Sequence, residues 1–309
     1  MINELVKIYI DGFVEDGEDY AKYFCKTNED YAVTYPSKNP KSAGYVIPKR
    51  LSSGSYCAYF SAIATIRRER GKGYASALIK EMLDEAYEKG YPFAVLSPFN
   101  SDFYKQFGFF ITQYYQRTIL NGTDDAKIFP MDNIDVSSIQ ALFNPNAFRL
   151  AYDEEFLLKL RKETAVYNAM PVKIVKDGEI YGFCVKENSS ISRVVQKDNA
   201  VTNNRDFSGF KTKLASNNGE AFIQLRVTSI KEFVKFLKPN DRFIITVTVV
   251  DSLIKDNSGN WEFSSNGRDV VASKTDKKAD FEVNIADLVE TLEGKKLIKQ
   301  FLTQFIDEY

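Results

Sequence analysis

Nine consecutive residues concentrate the chemistry of this chain: Arg67-Arg68-Glu69-Arg70-Gly71-Lys72-Gly73-Tyr74-Ala75. Upstream, Tyr56 to Ile66 is apolar, aromatic and β-branched, the composition of a buried strand. Downstream, Ala77, Leu78, Met82, Leu83 and Ala86 recur at helical spacing, with Lys80, Glu81, Asp84 and Glu85 between them. A strand, a basic glycine turn and a helix start make an anion site. The glycines let the backbone bend close to a ligand, the first-turn N–H groups have no helical partner, and the helix dipole favours negative charge. A diphosphate fits there. Gly71-Lys72-Gly73-Tyr74 lacks the spacing and the hydroxyl of a nucleoside-triphosphate loop, and Ser76 breaks the dinucleotide fingerprint. The remaining pattern, Arg68-x-x-Gly71-x-Gly73, is equally open to a plain reading as a basic turn ahead of a solvated helix.

A second segment adds a reactive side chain. Pro92 to Ser97 reads as another buried strand, and Asn100-Ser101-Asp102-Phe103-Tyr104-Lys105-Gln106-Phe107-Gly108-Phe109 follows it. About thirty residues separate the glycine turn from Tyr104, room for one helix and one returning parallel strand.

There is no histidine among the 309 residues. Ser-His-Asp and Cys-His catalysis and histidine zinc sites are therefore excluded, and proton transfer falls to carboxylates, tyrosine, lysine, water or a chain terminus. Cys25, Cys57 and Cys184 are odd in number and scattered, which suits buried free thiols in a reducing cytosol rather than disulfides or a metal. A formal charge of −1 gives no bulk electrostatic case for nucleic acid or an anionic membrane. No apolar run reaches spanning length and the start lacks a signal-peptide layout. The length suggests two or three domains.

Three segments are expected. In residues 1–129, an α/β unit, helices around Leu5 to Phe13 and Tyr20 to Phe24 precede strands at Asp30 to Tyr35 and Ala43 to Pro48, and Phe110 to Leu120 adds a strand after Tyr104. In residues 130–219, Glu154 to Glu163 predicts a helix capped by Asp153. Lys176-Asp177-Gly178 predicts a hairpin between Val172 to Val175 and Glu179 to Val185, with a further strand at Ile191 to Val195. Asn199 to Asn218 reads as a loop or a poorly formed connection. Residues 220–309 form an α+β layout: a strand from Ala221 to Val227, a helix through Ile230 to Leu237, strands at Arg242 to Val250, Trp261 to Phe263, Asp269 to Ala272 and Phe281 to Ile285, then helix from Asp287 through Phe305. No internal sequence repeat stands out.

Arg68-x-x-Gly71-x-Gly73 together with Tyr104-x-x-x-Gly108-Phe109 resembles the GNAT N-acetyltransferase superfamily. The whole chain is similar to its enhanced-intracellular-survival type, in which an N-terminal GNAT domain, a second degenerate GNAT-like region and a sterol-carrier-protein-like domain are joined. The resemblance implies acetyl-CoA as cosubstrate, no metal, a small-molecule or peptide amine as acceptor and possible homo-oligomers. It implies that the peptide groups of Ser61, Ala62 and Ile63 pair with the pantetheine arm, and that Arg68, Glu69, Arg70, Gly71, Lys72, Gly73 and Tyr74 surround the pyrophosphate. Phe99 and Asn100 would contact the cofactor, and Tyr104 would protonate the leaving thiolate. The usual glutamate is missing from Tyr56 to Ile66, and the family instead offers the free carboxylate of its last residue, here Tyr309 if it is the natural end. The middle segment is too short for a complete second GNAT fold. A cationic acceptor would call for acids such as Asp11, Glu15, Asp16 and Glu18. The alternative reading is a degenerate acyl-CoA-binding or assembly module.

Overall fold

The computed structural model describes residues 1–132, 135–145 and 147–305. Helices α1 (Ile2–Gly12) and α2 (Glu18–Thr27) precede strands β1 (Ala32–Tyr35), β2 (Ser42–Arg50) and β3 (Tyr56–Thr65). After the glycine turn come α3 (Tyr74–Glu88), β4 (Phe93–Leu96), α4 (Ser101–Lys105) and β5 (Phe110–Ile119). The middle of the chain forms β6 (Lys127–Pro130), α5 (Val136–Gln140), α6 (Glu154–Val166), β7 (Met170–Lys176), β8 (Glu179–Glu187), β9 (Ser190–Gln196), β10 (Lys211–Ser216) and β11 (Glu220–Val227). The last part holds α7 (Ile230–Phe233), β12 (Arg242–Val250), β13 (Gly259–Asn266), β14 (Val270–Lys274), β15 (Phe281–Asn284) and α8 (Leu288–Gly294).

The strands form two sheets. The first has eleven strands in the order β1-β2-β3-β4-β11-β5-β10-β9-β8-β7-β6, and the second has four in the order β14-β13-β12-β15. Strand β11 lies between β4 and β5 and runs antiparallel to both, so a strand distant in sequence completes the half of the sheet that carries the glycine turn. Only residues from 242 onward enter the small sheet.

Each helix docks by its apolar stripe. Leu78, Ile79, Met82, Leu83 and Ala86 of α3 are buried against Val46, Ala58, Phe60, Ala94 and Leu96. Burial of a large aliphatic side chain contributes roughly 1.5–3 kcal/mol, which holds α3 in place behind a flexible glycine turn. On the other face of β2 and β3, Leu5, Ile8 and Tyr9 of α1 and Tyr20, Phe24 and Cys25 of α2 enclose Ala43, Tyr45 and Ala64. The three cysteines are free and buried. Among the described residues no helix is long and apolar enough to cross a membrane.

The backbone repeats itself where the sequence does not. Helices α1 and α2, the antiparallel run β1-β2-β3 and the parallel strand β4 are matched by α5, α6, β7-β8-β9 and the parallel strand β10. The third strand of each run bulges at a residue with positive φ, Ala62 at 47° and Arg193 at 53°. The second copy has no counterpart of α3: residues 197–210 contain only a short 3-10 turn, Arg205–Phe207. The hairpin at Asp177-Gly178 forms with both residues at positive φ, and Asp153 caps α6 by accepting from the Phe156 N–H at 3.0 Å.

Two expectations need correction. The stretch Asn199 to Asn218 is not all loop, because β10 pairs with β5 along Lys211 to Ser216. Its polar side chains hide a strand whose existence depends on main-chain pairing. The helix expected to run from Asp287 through Phe305 stops at Gly294, and Lys296 takes a positive φ of 58°. Residues 302–304 instead bond to the backbone of Phe148, with its N–H to Leu302 O at 2.7 Å and the Gln304 N–H to its carbonyl at 2.7 Å.

Arg226 on β11 makes a buried ion pair with Asp251, just past β12. Both Asp251 oxygens accept from Arg226 Nη2 at 2.7 Å, and the two side chains are essentially inaccessible. Asp251 also accepts from the Leu253 and Ile254 N–H groups and from Asn257 Nδ2. Desolvation raises the Asp251 carboxyl, but the guanidinium and these donors outweigh it and hold the carboxyl below its ordinary value of 3.8. Removing one partner strands a buried charge, so Asp251→Ala should cost about 3–5 kcal/mol in urea unfolding. The carboxyl is more acidic folded than unfolded, so its contribution is present above about pH 4 and disappears as pH falls further. The stability loss below pH 4 should therefore be steeper in the wild type than in Asp251→Asn.

Candidate active site

Strands β3 and β4 part company. They pair in parallel only through Ala58 with Ala94 and Tyr59 with Val95, after which β4 ends at Leu96 and β3 continues to Thr65. The bulge lies in the unpaired part: Tyr45 faces Ser61 and Ala43 faces Ala64, leaving Ala62 and Ile63 opposite Gly44. Peptide groups on the free edge of β3 thus line a cleft that an extended, amide-bearing chain can enter. Ser61, Ala62 and Ile63 all lie there. The Ile63 side chain packs partly into the α3 core.

The glycine turn closes one end of the cleft. Gly71 and Gly73 have φ of 78° and 83°, a region that favours glycine, and Gly73 caps α3 without a side-chain bond. The Ala77 N–H is the first in α3 bonded to a main-chain carbonyl, that of Gly73, which leaves the Tyr74, Ala75 and Ser76 N–H groups open to an anion. The charged side chains differ in their freedom. Arg70 donates to Thr65 O at 3.2 Å and Asp11 O at 3.0 Å, which ties the turn to α1. Lys72 bonds Glu69 at 2.8 Å, and that contact lowers the Glu69 carboxyl. Arg68 is exposed, with Nε 3.8 Å from Glu69. Binding of a diphosphate here would fall chiefly to the backbone, with Arg68 and Lys72 at the rim.

Tyr104 sits in a five-residue helix beyond β4. Its ring meets Phe103 and Phe109 edge-on at 5.2 and 5.9 Å and packs on the cluster containing Phe60 and Leu96. Burial pushes its phenol up to about 12, so it stays protonated and able to donate at any physiological pH. The Asn100 side chain caps the helix, accepting from the Asp102 and Phe103 N–H groups at 3.1 and 3.4 Å, and is occupied there. Phe99 is fully exposed beside it. Tyr309 lies outside the described residues.

Residues 54–112 match the acetyltransferase (GNAT) domain family. No curated protein matches the sequence. Among solved structures, the chain is similar to a GCN5-related N-acetyltransferase from Anabaena variabilis, with 16% identity and TM-score 0.75, covering 100% of this chain and 97% of that one. A conserved protein of unknown function from Enterococcus faecalis, described as a probable N-acyltransferase, is 13% identical with TM-score 0.72 over 100% and 97%. Eis1 from Mycobacterium abscessus is 14% identical with TM-score 0.63 over 96% and 90%. The fold is that of the GNAT acetyltransferases. The matched domain is that of an acyltransferase enzyme.

On the opposite face of β3, a cavity of about 380 Å³ reaches Ser61 and Tyr59 from between α2 and α6. Its three carboxylates are all ion-paired: Asp153 with Arg50 at 3.1 Å, Glu155 with Lys159 at 2.8 Å and Glu163 with Arg193 at 2.8 Å. The acids expected near a cationic acceptor lie elsewhere. Asp11 accepts from the Arg67 N–H, Asp16 from Tyr9 Oη, and Glu18 pairs with Lys22; these three and Glu15 are absent from the wall of this cavity. Sequence reading missed the contribution of α6, which nothing in its pattern distinguishes from a surface helix. It also missed Gln224 and Arg226, polar residues two apart in an apolar strand, which did carry a readable signal.

The open α3 N-terminus gives a direct test. Ser76→Asp places a charge at the third helical position, where it favours the helix itself but repels a bound diphosphate. Affinity for coenzyme A, measured by calorimetry, should fall about tenfold or more while the thermal midpoint holds or rises. Unchanged affinity would place the diphosphate elsewhere.

Proposed function

We propose that the chain is an acetyl-CoA-dependent N-acetyltransferase acting on a primary amine of a small molecule or peptide. The observation that carries this reading is the parting of β3 from β4 between the open α3 N-terminus and the Tyr104 phenol. Pyrophosphate on the glycine turn and pantetheine along Ser61 to Ile63 would bring the thioester toward Tyr104. The amine nitrogen attacks the carbonyl carbon, the tetrahedral intermediate collapses, and the C–S bond breaks to release the coenzyme thiolate. Tyr104 stabilises that thiolate as a hydrogen-bond donor. Full proton transfer from a phenol near 12 to a thiolate of reference pKa about 8.5 is uphill, so the thiolate takes its final proton from solvent.

The acceptor would enter from the cavity at Ser61 on the other face. For the proton that the attacking nitrogen loses we propose relay through water to the Tyr309 α-carboxylate, whose reference pKa of about 3.5 must be raised by desolvation for it to act as a base, provided Tyr309 is the natural end. What supports this reading is that Phe305 is buried and held on β5, its N–H donating to Gln113 Oε1 at 3.0 Å and its carbonyl accepting from Gln113 Nε2 at 3.0 Å. A sterol-carrier-like character for the last segment is a further proposal, supported only by its small sheet packed with α7 and α8.

Tyr104→Phe should lower kcat by about 10²-fold with little change in the KM for acetyl-CoA, read as thiol release with an amine panel. An unchanged rate would remove Tyr104 from the mechanism. Coenzyme binding with no amine ever acetylated would favour the binding-module reading. Because every acid in the cavity wall is already paired, aromatic monoamines should be acetylated with higher kcat/KM than polyamines of similar size. The reverse order would show that a free carboxylate outside this wall selects the acceptor.

A further inference from the structure

The helix that carries Tyr104 is too short to hold itself. Five residues form little more than one turn, and isolated helices of that length are unstable in water. Two fully buried side chains of β11 grip it from below, one at each end. Gln224 Nε2 donates to Ser101 O at 3.0 Å, in the first turn. Arg226 Nε donates to Phe107 O at 2.7 Å, just past the last turn. Tyr104 lies between these anchors. Gly108 makes the second one possible: its φ is 83°, and a Cβ there would stand 2.8 Å from Arg226 Nε. Arg226 is fixed in turn by both oxygens of Asp251.

We infer that Gln224 and Arg226 are positioning residues for Tyr104, and that Asp251 extends this clamp into the last part of the chain. The catalytic consequence rests on the acetyltransferase reading; the placement of the ring does not. The clamp sets the height and tilt of the phenol over the cleft. The strand supplying it lies more than a hundred residues after Tyr104, so the geometry of the donor site depends on the C-terminal third being folded and docked.

Gln224→Met is the cleanest probe. It keeps the side chain's length, deletes the bond to Ser101, and also deletes Oε1, an oxygen buried without a partner. Loss of the bond and loss of an unsatisfied group oppose one another, so the fold should tolerate the change. With 3-fluorotyrosine at position 104, its fluorine resonance should shift or broaden in Gln224→Met, and its titration midpoint should fall towards that of free 3-fluorotyrosine. In turnover, Gln224→Met should lower kcat about tenfold with an unchanged KM for acetyl-CoA, and should lower it less than about twofold further in the Tyr104→Phe background. A fluorine signal and midpoint identical to the wild type would overturn the clamp. Equal rate losses in the two backgrounds would also overturn it, because Gln224 would then act independently of Tyr104. If the wild type acetylates no amine, the function reading fails, and the fluorine measurement alone still decides whether the clamp exists.

Discussion

The buried guanidinium of Arg226 joins three parts of the chain that share no local sequence. It stands on β11, fully buried, and directs its donors to Phe107 O, the Val227 carbonyl and both oxygens of Asp251. A buried charge is tolerated when it is paired and each of its nitrogens has a hydrogen-bond partner, as here. That requirement couples the Tyr104 turn, the central strand and the small sheet. Insertion of β11 between β4 and β5 delivers the guanidinium to this point.

Once β11 is in place, the parting of β3 from β4 follows from what the neighbouring strands cannot do. Strand β4 is four residues long and gains a full antiparallel partner in β11, while its parallel pairing with β3 covers only two residues. Beyond them the bulge at Ala62 turns the free edge of β3 toward open space. The repeated half shows the same arrangement without the same chemistry. Strands β9 and β10 also meet in parallel, at a single point, Ser190 with Lys211, but no long helix joins them. A parting of strands alone makes a slot. Only the first half joins its parted strands through a glycine turn and the long helix α3, with the Tyr104 turn beyond β4.

Much of the first half was legible in the residues because its signals are local. The strand from Tyr56, the glycine turn and the amphipathic pattern of α3 each depend on neighbours within a few residues, and all three stand where spacing put them. The Asp-Gly hairpin and the Asp153 cap were readable for the same reason. Strand β10 was not, since Lys-Thr-Lys-Leu-Ala-Ser has the polarity of a loop and becomes a strand by pairing with β5. Residues 302–304 misled in the opposite direction: the apolar spacing there suits a helix, yet the backbone of Phe148 pairs with them in a β-bridge at Thr303.

The same division holds at the site. By itself the sequence determined that a basic glycine turn precedes an amphipathic helix and that no imidazole is present, because glycine positions, apolar spacing and an absent residue type are facts of the chain. It also set Tyr104 at a workable interval from the turn. The tertiary structure decided which charges remain free, by spending Arg70 on backbone carbonyls and Asn100 on a helix cap. It likewise decided how the Tyr104 turn is held. Those outcomes depend on hydrogen bonds between residues far apart in the chain, and such bonds leave no periodic trace in the sequence.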